Sequence, residues 1–257
     1  ERPATHQGAG YTIQRDGQRI LHLSGDPYAL GLHNANLLSN LLKQQEDALL
    51  DGLFQFSKSP FRAALIRQAS LFYLIGLSDY LTEAEKVELL GIVDGSPDPF
   101  PELGNRYARV TAYHAIHELS QRYAFDRPLM ACSAIAVSSK RGESGHAYLA
   151  RNFDFEGGRI FDREKVIVAV RPKEGFGFVS ISWAGMAGVL SGMNEHGLAI
   201  TINSGASADY RRIGTPTGFL VRRALEQARN INEAIKVLTS SPSFVTDIIS
   251  LADANGN

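Results

Sequence analysis

Four residue types at four positions could do chemistry in this chain: Cys132, Arg151, Asp154 and Asn203. Cys132 is the single cysteine of 257 residues and stands in MACSAIAV, at the head of an alternating apolar stretch. A thiolate attacks carbonyl carbon, and a guanidinium close to a thiol raises the reactive thiolate fraction. Arg151 would supply that cation from ARNFDF, and Asp154 in the same run is a carboxylate able to hold an amine and tune its basicity. Asn203 closes TINS, where alternation puts Leu198, Ile200 and Ile202 on one face and Ala199, Thr201 and Asn203 on the other. An amide on that small-residue face could donate to an oxyanion. A dedicated base is missing: no histidine lies close in sequence to Cys132.

Each residue also has a structural reading. A free cysteine packs as a small hydrophobe. Arg151 and Asp154 could form a surface ion pair of little worth, and Asn-Ser-Gly at 203–205 is turn chemistry. Asn152 lies on the strand face opposite Arg151 and is given a structural hydrogen-bonding role. Asn194 and His196 in MNEHG read as turn residues. His114 and His117, with Glu118 beside them, lack a clustered third ligand or an H-E-x-x-H pattern and read as structural, so no metal is expected. GFG at 175–177 lacks the third glycine of a dinucleotide loop and reads as a hairpin turn; no cofactor is expected.

The elements that must position these residues change character near residue 130. Before it, YTIQRDGQRILHLSG is a hairpin signal around Asp16-Gly17. Helical text follows over 30–54, over 63–77, over 82–93 with Thr82 and Glu85 in capping-box positions, and over 101–123. The stretches 30–54 and 63–77 are expected to be core helices. After 130 the period becomes two, with three hairpins expected around RGESG, KEGFG and MNEHG. Two amphipathic helices, TGFLVRRALEQAR and INEAIKVLTSS, and a last strand, VTDIISLAD, complete the order. The strand connections are too short for crossovers, so the pattern predicts α+β with layered antiparallel sheets.

Composition excludes several classes. Lys plus Arg total 26 against 27 Asp plus Glu, so the net charge of −1 gives no pull toward nucleic acid or anionic membrane. One cysteine excludes an intrachain disulfide and a multi-cysteine zinc site. AALIRQASLFYLIGL is too short to span a bilayer. The chain opens at Glu1 rather than Met, from which a removed leader or tag is expected. No N-x-S/T acceptor occurs, which disfavours a glycosylated eukaryotic secretory protein. A bacterial source is expected, cytoplasmic or exported.

The segment CSAIAVSSKRGESGHAYLARNFDF resembles the start of the mature catalytic chain in cysteine-type N-terminal-nucleophile (Ntn) hydrolases. These include bile salt hydrolase, penicillin V acylase, acid ceramidase and the isopenicillin N acyltransferase family. GMNEHGLAITINS, GTPTGFLVRRALEQARNINEAIKVL, ISLADANGN and, upstream, LSGDPYALGLHNANLL are similar to further pieces of the acyltransferase family, in order. The resemblance implies an α/β/β/α sandwich of residues 132–257 behind a mainly helical pro-region, 1–131. It implies self-cleavage between Ala131 and Cys132, with the freed α-amine as the missing base and the two fragments staying associated. Cys132 would then be acylated by a small-molecule acyl amide or thioester, with Arg151 beside the thiol, Asp154 on the new amine and Asn203 at the oxyanion. In this family a further strand follows the last one here, so the core is expected to be C-terminally incomplete. A non-catalytic Ntn-fold binding module and an ordinary structural α+β protein are the competing readings.

Overall fold

The computed structural model describes residues 8–123, 130–142, 145–155, 157–205 and 211–256. β1 (Gly8–Arg15) and β2 (Gln18–Gly25) form the first hairpin, turning at Asp16 and Gly17, which both take positive φ, 52° and 77°. Positive φ at both central residues is what a two-residue turn matched to strand twist requires. β5 (Val166–Pro172) and β6 (Phe178–Ser182), then β7 (Ser191–Asn194) and β8 (Ala199–Ser204), are the hairpins expected around KEGFG and MNEHG. With β9 (Asp247–Ala252) they make a seven-stranded sheet in the order β1-β2-β5-β6-β7-β8-β9. All its pairings are antiparallel except β2 with β5, which run parallel with Leu21 opposite Val168. The hairpin of β3 (Met130–Val137) and β4 (Tyr148–Phe155) stands apart as a two-stranded sheet.

The helices are α1 (Pro27–Leu37), α2 (Ser39–Ser57), α3 (Pro60–Tyr73), α4 (Glu83–Asp94), α5 (Arg106–Tyr113), α6 (Ile116–Tyr123), α7 (Arg159–Arg163), α8 (Thr217–Gln227) and α9 (Ile231–Leu238). The capping box of α4 forms as read: Thr82 Oγ1 accepts from Glu85 N at 3.2 Å, and Glu85 Oε2 accepts from Thr82 N at 2.8 Å. α1 and α4 touch through glycines. A Cβ on Gly31 would collide with the Glu88 carbonyl oxygen, and one on Gly91 with that of Tyr28.

Three helix expectations are corrected. The stretch 30–54 is two helices, because Leu38 leaves helical dihedrals (φ −119°, ψ 21°) to bury its side chain in the main core. The stretch 101–123 starts at Asn105, whose Oδ1 caps Ala108 N at 2.9 Å, and breaks at His114 and Ala115. Their N–H groups bond three residues back, to Thr111 and Ala112, which tightens and ends the turn. The stretch around 63–77 is no core helix: α3 buries none of its residues, and Phe61, Leu65 and Phe72 are exposed. A run of apolar residues reports composition, and only packing decides whether anything covers it.

Strand alternation builds the layers. Leu21, Leu23, Val166, Val168, Val170, Phe178, Ile200 and Ile202 face one way, and α1, α8 and α9 cover them with Leu30, Val221, Leu225 and Ala234. The opposite face of β8 and β9 is covered by the β3–β4 hairpin, on which α6 packs in turn. Helices, large sheet, hairpin and helix are thus stacked in that order, an α+β arrangement of mainly antiparallel sheets. The hairpin covers only the β8–β9 end; Val179, Ile181 and Met193, farther along the same face, are exposed. β9 lies at the edge of the large sheet, paired there with β8.

Candidate active site

The site lies where the hairpin meets the large sheet. In the β3–β4 ladder Cys132 is opposite Phe153 and Ala134 is opposite Arg151. With a side-chain period of two, Cys132, Arg151 and Phe153 share the face turned toward β8. Arg151 then binds three elements together. Its Nη2 donates to Cys132 Sγ at 3.4 Å, its Nη1 to Ser191 Oγ on β7 at 3.0 Å, and its Nε contacts Asn203 Oδ1 on β8 at 3.4 Å. The guanidinium also lies over the Phe153 ring, 4.2 Å from its centroid. Burial disfavours its charge and lowers its pKa, while the bond and charge of Cys132, and the carboxylates of Asp154 and Asp247, work the other way.

Asn203 is buried and belongs to the ladder of β8, opposite Ile248, rather than to a turn. Because its Oδ1 takes the guanidinium contact, Nδ2 is the amide atom left as a donor. Asp154 is not brought to the same face. Three residues on from Arg151 in a strand, it points the other way, is exposed, and its Oδ1 accepts from Asn152 Nδ2 at 2.9 Å. In register it is opposite Ala131, the residue before the cysteine, and β3 runs unbroken through both.

A second polar cluster joins α6 to β9. Asp247 Oδ1 accepts from His117 Nε2 at 2.8 Å and from Gln121 Nε2 at 2.7 Å, and Oδ2 from Thr217 Oγ1 at 2.6 Å. Burial works to raise the Asp247 carboxyl, but these three bonds and the charge of His117 outweigh it and hold the pKa low. Next to it Glu118 Oε1 caps α8, accepting from Thr217 N at 2.7 Å. Burial pushes the Glu118 carboxyl up, as does the charge of Asp247. His114 is committed elsewhere: Nδ1 bonds Val110 O at 2.8 Å and Nε2 accepts from Ala187 N at 2.9 Å. Among the described residues no group of three or more His, Cys, Asp or Glu could hold a metal ion, and no helix is long and apolar enough to cross a membrane.

Ser191, Thr217 and Asp247 were missed in the sequence. Hydroxyls and carboxylates at the first position of a strand or helix carry no pattern of their own; only the pairing of Ser191 with Thr201, two residues before Asn203, puts the serine under Arg151.

Residues 140–257 match the family model of acyl-coenzyme A:6-aminopenicillanic acid acyl-transferase. The resemblance to the Ntn acyltransferase family is borne out. The matched segment contains Arg151, Asp154 and Asn203 and begins eight residues after Cys132. Over 258 residues the chain is 22% identical to an uncharacterized protein of Archaeoglobus fulgidus, covering 94% of this chain and 42% of that protein. It is 25% identical over 247 residues to Protein dcd1A of Dictyostelium discoideum, covering 84% of this chain and 51% of that one. The chain spans about half the length of the curated relatives it matches. Among solved structures it is similar to a Caenorhabditis elegans N-acylethanolamine-hydrolyzing acid amidase ortholog, with a TM-score of 0.38 and 20% identity over 48% of this chain and 54% of that one.

Proposed function

We propose that the protein is an acyltransferase or amidohydrolase that activates itself by cleavage before Cys132 and works through an acyl-enzyme on that thiol. The observation that carries this reading is the guanidinium of Arg151, which donates to Cys132 Sγ and contacts Asn203 Oδ1, so that one cation links the sulfur to the amide on β8. A cation hydrogen-bonded to sulfur favours the thiolate.

In the first act Sγ attacks the Ala131 carbonyl carbon; the C–N bond to Cys132 breaks, leaving a thioester and a free α-amine. Water hydrolyses the thioester, releasing the Ala131 carboxylate and restoring the thiol. An α-amine titrates near 7.7–8.0, so close to neutral pH a usable fraction is unprotonated and takes the thiol proton in the second act. Sγ then attacks the acyl carbonyl of substrate, Asn203 Nδ2 donates to the oxyanion, and the proton passes to the leaving amine or thiol. Water or an amine removes the acyl group. Asp154, opposite Ala131 in the ladder, would turn from Asn152 to hold the new amine once the chain is cut. Residues 1–131 and 132–257 would stay associated, since β2 is paired within the large sheet and α6 is bonded to Asp247.

N-terminal sequencing and intact mass test this together. The expected result is a fragment beginning Cys-Ser-Ala-Ile that gains one acyl group from an acyl ester or thioester. Cys132→Ala should stay a single chain and gain none. A processed N-terminus elsewhere, or acylation that survives Cys132→Ala, overturns the mechanism.

A further inference from the structure

Three large apolar residues of α3 face solvent. Phe61, Leu65 and Phe72 are 77%, 60% and 73% exposed, and Ile75, just past the helix, is 61% exposed. No residue of the helix is buried. At about 100° per residue, Phe61, Leu65 and Phe72 fall within about 40° of one another around the axis and form one outward stripe. The opposite side, with Ile66, Ser70 and Leu71 half-buried, rests on α2 and α5. Scattered exposed side chains need no account, but three large ones aligned along one helix do.

The helix is held at both ends. Ser59 Oγ accepts from Arg62 N at 3.4 Å, with Pro60 in the first turn. Arg212 donates to Tyr73 O at 2.9 Å and to Ile75 O at 3.3 Å. A partner that took the helix into a groove would have to strip it from α2 and α5, so the stripe as it stands suits a flat surface. The charge around it has one sign. Between Asp51 and Asp79 the sequence holds Lys58, Arg62 and Arg67 and no acidic residue, and Arg212 adds a cation at the far end. Lys58, Arg62 and Arg212 are exposed. The net charge of −1 for the whole chain averages this patch away. A second copy docked on the same face would set these cations against each other.

We propose that α3 docks the protein on an anionic lipid surface, with Phe61, Leu65 and Phe72 entering the acyl boundary and Lys58, Arg62 and Arg212 at the level of the phosphates. An amphipathic helix in the interface buries its apolar face about 5–10 Å deep, and cations beside it add attraction to anionic lipid. The 14 residues of α3 make a rod about 21 Å long that lies in the plane of the surface and does not cross it. Docking on lipid is independent of whether Cys132 is acylated.

The test is flotation of the full chain with vesicles of phosphatidylcholine alone, or of phosphatidylcholine and phosphatidylglycerol in equal parts, at low and high salt. Wild type should partition onto the anionic vesicles at least about tenfold more strongly than onto phosphatidylcholine, and less as salt rises. Phe61→Ser/Phe72→Ser should lower that partition by about tenfold, and Lys58→Gln/Arg62→Gln should do the same. Val179→Ser, which removes an exposed apolar side chain from the large sheet, should leave it unchanged. All five side chains are exposed, and urea midpoints equal to that of wild type show that each variant is folded. Phe72→Trp should give an emission that shifts to the blue with anionic vesicles and stays put with phosphatidylcholine. Equal flotation of wild type and Phe61→Ser/Phe72→Ser overturns the proposal, and so does a wild type that floats with neither vesicle. A wild-type dimer that Phe61→Ser/Phe72→Ser makes monomeric, with no vesicle binding, overturns it in favour of an interface between copies.

Discussion

Arg151 Nη2 reaches Cys132 Sγ across 3.4 Å from a diagonal position in the hairpin, since the residue directly opposite Cys132 is Phe153. The diagonal is what lets one guanidinium touch the sulfur, Ser191 and Asn203 together. Arg151→Gln should slow alkylation of Cys132 by iodoacetamide at pH 7, because the cation that donates to the sulfur is gone. An unchanged rate and pH profile would remove Arg151 from the site. Ser191→Ala should slow it less, by freeing the guanidinium rather than removing it.

Asn203→Ala should lower turnover by about 10²–10³ with little change in KM, the signature of a donor used in the transition state. Asn203 is buried in a ladder, so a urea titration is run beside the kinetics. A loss confined to stability would make the amide structural.

His114 and His117 sit three residues apart and should respond to pH in opposite senses. Burial pushes the His114 imidazole down to about 4, against the pull of the Val110 carbonyl. As pH falls from about 6.5, the unfolded chain binds a proton that the folded one refuses, so stability drops by about 3 kcal/mol on the way to pH 4. His117 is also penalised by burial, but the hydrogen bond and charge of Asp247 outweigh it and raise the pKa. Its contribution is complete below about 6.5 and is lost as pH rises through the folded value. Urea midpoints between pH 4.5 and 8.5 check both. His114→Gln should flatten the acid decline, and the gap between wild type and His117→Gln should narrow toward alkaline pH.

Gly31→Ala should destabilise the protein by about 2–4 kcal/mol without altering the chemistry at Cys132, because its methyl meets the Glu88 carbonyl where α1 crosses α4. Gly52→Ala, with open space around it on α2, should be neutral or slightly stabilising. Equal midpoints for the two variants would mean that the helices do not approach so closely.

Local chemistry in the sequence was enough for the four C-terminal strands of the large sheet before β9, for the β3–β4 hairpin, for the Asp16-Gly17 turn and for the capping box at Thr82. Each rests on residues a few positions apart, where alternation or a side chain reaching its own backbone decides the outcome. Cys132, Arg151 and Asn203 were legible as candidates because residue type and a family resemblance mark them. What the sequence left open is set by contacts between residues far apart in the chain. Parallel pairing of β2 with β5 spans more than 140 residues, and no local pattern encodes a partner. The exposure of α3 depends on what packs over it, and its apolar run looks like that of a buried helix. Alternation does place Asp154 opposite Arg151 in facing, yet only the ladder shows it in register with Ala131. Ser191, Thr217 and Asp247 acquire their partners through β7, α8 and β9, where tertiary packing sets the hydrogen bonds that fix the charge on each group.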